Sequence, residues 1–91
     1  MAKLKLQRGL YFEEYTVGDS ITSAGRTITE TDIVAFAALS GDWNAIHVNA
    51  EYAAQGMFGE RIAHGLLGLS VASGLAAQMR FMENTVLAFL G

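Results

Sequence analysis

A carboxylate, an amide and an imidazole occur close together in the segment 42–47, which reads DWNAIH. Asp42 and His47 are five positions apart, and a loop at this point can bring both side chains around a single water molecule. Such a pair can act as a base and an acid near neutral pH, and Asn44 can help to fix the water. The alternative is that Asp42 only turns the chain after Gly41. One spacing of this kind is common, so spacing alone favours the alternative.

A second polar segment, 61–65 (RIAHG), ends in a glycine that opens a long apolar run. The first amides of a helix have no partner inside it, and the helix dipole favours negative charge there. The backbone N–H of Gly65 is therefore suited to hold a developing oxyanion, and glycine lets a ligand oxygen approach closely. We interpret His64 as a buried, hydrogen-bonded histidine that orients the start of the helix, and we do not count it as catalytic.

Two short helices are predicted around the first polar segment. Thr29 and Asp32 form a capping-box pattern, and apolar residues then recur at helical spacing until Gly41 supplies a C-terminal stop. The segment 42–47 is predicted to be a loop. Asn49 can cap the second short helix.

The second half of the chain is predicted to contain one long helix between strands. Residues 65–82 have helical patterning but are apolar nearly all round, which is typical of a helix enclosed on every side. The ranges 20–29 and 85–90 are predicted to be strands, the first because it is rich in β-branched residues. Two strands make a sheet too narrow to cover such a helix, so we expect the chain to be a piece of a longer one.

Both polar segments resemble those of one known family. The segment 42–47 resembles the Asp-x-Asn-Pro-x-His signature of MaoC-like dehydratases and (R)-specific enoyl-CoA hydratases, with Ala45 in place of the proline. The segment 61–65 resembles that family's Ile-(Val/Ala)-His-Gly start of its central helix, at a family-like distance. The resemblance extends from about residue 11 to residue 90. It implies an α+β hot-dog fold, an antiparallel sheet wrapped around a long central helix, with residues 1–91 forming a single domain whose remaining strands lie beyond residue 91.

The resemblance also implies an activity. The chain is expected to be a hydro-lyase that reversibly hydrates a trans-2-enoyl thioester, on coenzyme A or acyl carrier protein, to the (R)-3-hydroxyacyl form. Asp42, His47 and Gly65 are the expected catalytic residues, and Asn44 and Ser73 the expected substrate-binding residues. No cofactor or metal is implied. Proteins similar to this one are usually homodimers or tandem hot-dog pairs, so the resemblance implies a homodimer or a larger homo-oligomer.

Composition excludes several other classes of protein. The net charge is −3 and the six Lys and Arg are scattered, so no basic stripe exists to bind nucleic acid. The absence of cysteine excludes disulfides, thiolate metal sites and cysteine nucleophiles, and it fits a cytoplasmic protein. Two histidines are too few for a structural metal cage. The sequence shows no export signal and no apolar run that spans a membrane comfortably.

Other functions remain open from the sequence. A non-catalytic hot-dog module could bind acyl thioesters or pair with a catalytic partner. A dehydratase for branched or dicarboxylic acyl-CoA substrates would carry the same two motifs. A hot-dog thioesterase is disfavoured because its signatures differ from segment 42–47, and Ser70 matches a hydrolase nucleophile elbow only in part.

Overall fold

A computed structural model of the chain describes residues 8–91. The chain divides into two compact units, one formed by Arg26–Val71 and the other by Met1–Gly25 together with Ala72–Gly91. Among the described residues, no helix has both the length and the hydropathy needed to cross a membrane. The polar segments singled out from the sequence both fall in the unit Arg26–Val71.

Helix α1 spans Glu30–Ser40 and has well-defined ends. At its start, the Thr29 hydroxyl accepts a hydrogen bond from the Asp32 N–H at 3.2 Å, and the Asp32 carboxylate accepts one from the Thr29 N–H at 2.8 Å. At its end, Gly41 adopts a left-handed conformation with φ of 82°, and its N–H donates to the Ala37 carbonyl at 2.8 Å. The predicted capping box and glycine stop are both confirmed, because each depends on residues only three or four positions apart.

Two short helices follow: α2 spans Ala45–Val48 and α3 spans Ala50–Ala54. The Asn49 side chain accepts a hydrogen bond from the Tyr52 N–H at 3.0 Å, which confirms the predicted cap of α3. The prediction of a loop over 42–47 is wrong for its second half. Asn44 caps α2 by accepting from the Ile46 N–H at 3.2 Å, so His47 lies in a helical turn.

Helix α4 spans Gly65–Gln78 and ends about one turn earlier than predicted. The chain then turns at Arg80, which has φ of 64° and donates its N–H to the Ala77 carbonyl at 3.0 Å. The prediction that this helix is enclosed on every side is not met within residues 8–91. Of its residues only Leu67 is buried, because no sheet forms over the helix in the described part of the chain.

The two predicted strands do not form in the described structure. No strand is present anywhere in residues 8–91, so the sheet of the predicted α+β class is missing there. A strand exists only when its backbone pairs with a neighbouring strand. The N–H groups of Thr85 and Val86 donate instead to the Met82 carbonyl, at 3.2 and 3.1 Å, and close a local turn. The range 20–29 likewise has no strand partner among the described residues.

The unit that contains both ends of the chain is held by contacts between residues 8–10 and the turn after α4. Arg8 forms an ion pair with Glu83, with 2.7 Å between Nε and Oε2, and this bond lowers the pKa of Glu83. The Gly9 N–H donates to the Arg80 carbonyl at 2.9 Å. A Cβ at Gly9 would lie 2.5 Å from the Glu83 carbonyl oxygen, and φ is +56°, so this position requires glycine.

The Asp32 cap should make the stability of α1 depend on acid. Hydrogen bonds from the Thr29 backbone and hydroxyl, together with the Arg26 guanidinium, lower the pKa of Asp32. Its stabilising effect is therefore full above the ordinary carboxyl pKa, about 4, and is lost as pH falls through the lowered value. We expect Asp32→Asn to lower the free energy of unfolding in urea near neutral pH, by an amount that shrinks as the pH falls below the ordinary carboxyl pKa. Asp19→Asn, which changes an exposed carboxylate, is the matched control. An effect of Asp32→Asn that does not depend on pH would contradict the role of the Asp32 carboxylate as the cap of α1.

Candidate functional site

The Asp42 carboxylate lies in the turn between α1 and α2 and is exposed. Its Oδ1 accepts a hydrogen bond from the Asn44 N–H at 3.2 Å, which fixes the side chain in the turn. Its Oδ2 lies 3.9 Å from Nε2 of His47. The turn thus uses one carboxylate oxygen and leaves the other facing the imidazole.

His47 lies on α2 with its side chain nearly buried. Its Nδ1 is 2.8 Å from the Ile62 carbonyl oxygen. A carbonyl can only accept a hydrogen bond, so Nδ1 carries the proton, and the Nε2 of the neutral ring is left with a lone pair on the side of Asp42. The 3.9 Å between Nε2 and Oδ2 is too long for a direct hydrogen bond, but both atoms can contact one water at about 2.8 Å.

The segment that holds His47 is itself bound to α2. The Ile62 N–H donates to the Ile46 carbonyl at 3.3 Å, while the Ile62 carbonyl accepts from His47. Next to it, the Arg61 guanidinium pairs with the carboxylate of Glu30, the first residue of α1. These contacts fix the orientation of the His47 ring from a segment fifteen positions further along the chain.

His64 is the most buried polar residue of the site, with 3% of its surface exposed. Its Nε2 donates to the backbone carbonyl of Asp42 at 2.9 Å. Its ring stacks on that of His47, with 3.7 Å between centroids and 24° between planes, and it also contacts the Phe36 ring at 5.0 Å. The expectation of a buried, hydrogen-bonded histidine is confirmed. The sequence did not show that its partners would be Asp42 and His47, the two residues of the predicted acid/base pair.

Gly65 follows directly and opens α4. The first turn of the helix closes with the Gly68 N–H donating to the His64 carbonyl at 3.2 Å. The Gly65 N–H has no hydrogen-bond partner within residues 8–91, as expected for the first residue of a helix. A Cβ built at Gly65 meets no atom within 4 Å. The amide is therefore available to a ligand at a helix N-terminus that favours negative charge.

The two predicted substrate-binding residues have different surroundings. The side-chain oxygen of Asn44 accepts the Ile46 N–H as the cap of α2, and its amide N–H groups can donate to a ligand or a water. Ser73 is exposed on α4 and belongs to the unit that contains both ends of the chain. Binding of substrate by either residue stays a prediction.

The site also contains three residues of the kinds that bind metal ions, Asp42, His47 and His64. Their potential ligand atoms lie within 4.8 Å of one another. The stacking of the two rings argues against that use. Imidazole lone pairs lie in the ring plane, and the two rings are stacked with only 24° between their planes, so the lone pairs lie in two separate, nearly parallel planes. Two such nitrogens do not converge on one ion at the roughly 2.0–2.1 Å that zinc requires. The arrangement suits proton transfer better than metal binding.

Comparison with known proteins identifies a family. The family model described as MaoC like domain matches residues 13–91. The chain is 48% identical over 63 residues to the (R)-specific enoyl-CoA hydratase of Rhodospirillum rubrum, a match covering 69% of the chain and 43% of that protein. It is 51% identical over 65 residues to protein MaoC of Klebsiella aerogenes, covering 71% of the chain and 19% of that protein.

A solved structure supports the same assignment. The X-ray structure of the monoamine oxidase regulatory protein from Archaeoglobus fulgius superposes with a TM-score of 0.83 at 37% identity, over 97% of this chain and 60% of that one. The chain spans less than half the length of the two curated relatives that it matches. Both motifs and most of the chain agree with one domain type, and the chain belongs to the MaoC-like domain family, which has the hot-dog fold.

Proposed function

We propose that this chain carries the acid/base pair of an (R)-specific enoyl-thioester hydratase. The reaction is the reversible addition of water to a trans-2-enoyl thioester, of coenzyme A or acyl carrier protein, to give the (R)-3-hydroxyacyl thioester. The main support is the 3.9 Å between Asp42 Oδ2 and His47 Nε2, with Nδ1 of His47 bonded to the Ile62 carbonyl. The similarity to a protein named (R)-specific enoyl-CoA hydratase supports the same chemistry.

In the proposed mechanism the pair holds one water between its two atoms. Nε2 of His47 takes one proton from the water, and Oδ2 of Asp42 accepts a hydrogen bond from the O–H that remains, which directs the oxygen lone pair at the β-carbon. The new C–O bond moves electrons toward the thioester oxygen, where the Gly65 N–H stabilises the negative charge. Nε2 of His47 then gives this proton to the α-carbon, so that one hydrogen and one hydroxyl group have been added across the double bond.

Two further features belong to the proposal. Proton transfer and oxyanion stabilisation are sufficient for this addition, so we propose that no metal or cofactor takes part. On the family resemblance we also propose a cytoplasmic homodimer. A module that binds acyl thioesters without turnover is the alternative function, and the following experiment separates the two.

The decisive experiment is hydration of crotonyl-CoA by the longest natural chain that contains this sequence. Loss of enoyl-thioester absorbance and chiral analysis of the product are the measurements. We expect formation of (R)-3-hydroxybutyryl-CoA. Binding of crotonyl-CoA by a folded protein without turnover would instead support the binding module, and formation of the (S) product would contradict the stereochemical assignment.

Asn44→Ser tests whether Asn44 contributes beyond capping α2. Serine and asparagine are comparable N-caps, so we expect the free energy of unfolding to change by no more than a few tenths of a kcal/mol. The substitution removes the amide N–H groups, and the loss of one hydrogen bond to the water should lower kcat about tenfold. Chemical denaturation and steady-state kinetics measure the two effects. Unchanged kinetics would restrict Asn44 to its capping role.

A further inference from the structure

His64 contacts both members of the proposed acid/base pair but has no part in the proposed mechanism. Its Nε2–H donates to the Asp42 carbonyl at 2.9 Å, and its ring lies against that of His47 at 3.7 Å. The next residue, Gly65, supplies the proposed oxyanion donor. One side chain therefore connects the turn that carries the carboxylate, the ring that carries the base and the start of α4.

The contacts of the His47 ring constrain it in complementary ways. The bond from Nδ1 to the Ile62 carbonyl sets the direction in which Nε2 points within the ring plane. The stack on His64 sets the plane itself, since tilting either ring would bring their atoms into collision. His64 is 3% exposed and also contacts Phe36, so its own ring has little room to move.

Stability alone does not explain a histidine at this position. Nδ1 of His64 is buried without a hydrogen-bond partner among the described residues, and an unpartnered buried polar atom destabilises the folded state. An apolar ring of similar size would fill the space without that cost. Only the bond from Nε2 to the Asp42 carbonyl requires a polar side chain here.

We propose that His64 is a positioning residue for Asp42 and His47, and that it keeps Oδ2 and Nε2 at the separation that holds one water. This inference rests on the proposed hydratase function. His64 acts through the backbone of Asp42 and the ring of His47, not through the substrate. Its loss should therefore lower the rate of the chemical step and leave substrate binding nearly unchanged.

Two substitutions separate the hydrogen bond from the stack. His64→Gln retains an N–H donor for the Asp42 carbonyl and removes the ring, while His64→Phe retains a planar ring and removes the donor. Both are made in the longest natural chain and compared with wild type for crotonyl-CoA hydration. ¹⁵N NMR of the His47 imidazole, which distinguishes its tautomers, is recorded on the same samples.

We expect His64→Phe to lower kcat about a hundredfold, the effect of a misplacement of about 1 Å, with little change in KM. His64→Gln should lose less, because the donor is retained. In both variants the ¹⁵N spectrum of His47 should depart from the single Nδ1–H form. If His64 had only a structural role, both variants would lower the amount of folded protein. The His47 spectrum and the kcat of the folded protein would then stay as in wild type.

Wild-type kcat and an unchanged His47 spectrum in both variants would overturn the inference, as would an increase in KM at constant kcat. If His64→Phe does not fold, His64→Gln decides by the same criteria. If wild type does not hydrate crotonyl-CoA, the proposed function fails, while the His47 spectra still decide whether His64 positions that ring.

Discussion

His47→Ala and Asp42→Asn should each lower kcat for crotonyl-CoA hydration by about a thousandfold, within the range found when a general acid or base is removed. His47→Ala deletes the lone pair that takes the proton from water. Asp42→Asn keeps the shape of the turn but removes the carboxylate whose Oδ2 faces Nε2 at 3.9 Å. Asp42→Asn should remain folded because Asp42 is exposed, and in His47→Ala the helix α2 retains its Asn44 cap. Steady-state kinetics and circular dichroism are the measurements.

The double variant shows whether the two residues act on one water. Groups that act as a unit are strongly non-additive, so we expect His47→Ala with Asp42→Asn to be little slower than the worse single variant. Asp19→Asn removes an exposed carboxylate outside the site and should retain wild-type activity. Losses that multiply in the double variant, or a loss of less than about tenfold in either single variant, would contradict the shared-water mechanism.

Gly65→Pro should lower kcat by about a hundredfold or more, the cost of removing one oxyanion donor. Proline is well tolerated at the first position of a helix because the missing N–H has no intrahelical partner there. The substitution therefore deletes the proposed donor while α4 is retained. The measurement is crotonyl-CoA hydration, with far-ultraviolet circular dichroism to confirm the helix.

Gly65→Ala is the matched control for this experiment. It adds a methyl group but retains the N–H, and its Cβ meets no atom of the chain within 4 Å. Its loss of activity measures only crowding of the thioester oxygen, so it should be clearly smaller than that of Gly65→Pro. Equal losses in the two variants would show that glycine is needed at this position only to let the thioester oxygen approach closely, and that the amide is not the donor.

The local structure of this chain could be predicted from its sequence because it depends on near neighbours. Thr29 and Asp32 cap α1 from three positions apart, and Gly41 ends it in a conformation that other residues adopt at a cost. Asn49 caps α3 in the same local way. The strands could not be confirmed, because a strand needs a partner and none exists for 20–29 or 85–90 within residues 8–91.

The family and the chemical types at the site were likewise determined by the sequence. Segments 42–47 and 61–65 supply a carboxylate, an imidazole and a helix-opening glycine at the spacing of MaoC-like domains, and the family match over residues 13–91 agrees. Neither segment specifies an orientation, because spacing along the chain does not say which ring atom faces which oxygen.

Only the tertiary structure decided how these groups face one another. Nδ1 of His47 finds its acceptor at Ile62, so Nε2 faces Asp42. His64 lies on the His47 ring and donates to the Asp42 carbonyl from 22 positions away. Such contacts form only when packing brings distant segments together, and both hydrogen bonds are accepted by backbone carbonyls, which every residue carries. Side-chain identity therefore determined the chemistry available to this chain, and packing against the backbone determined its geometry.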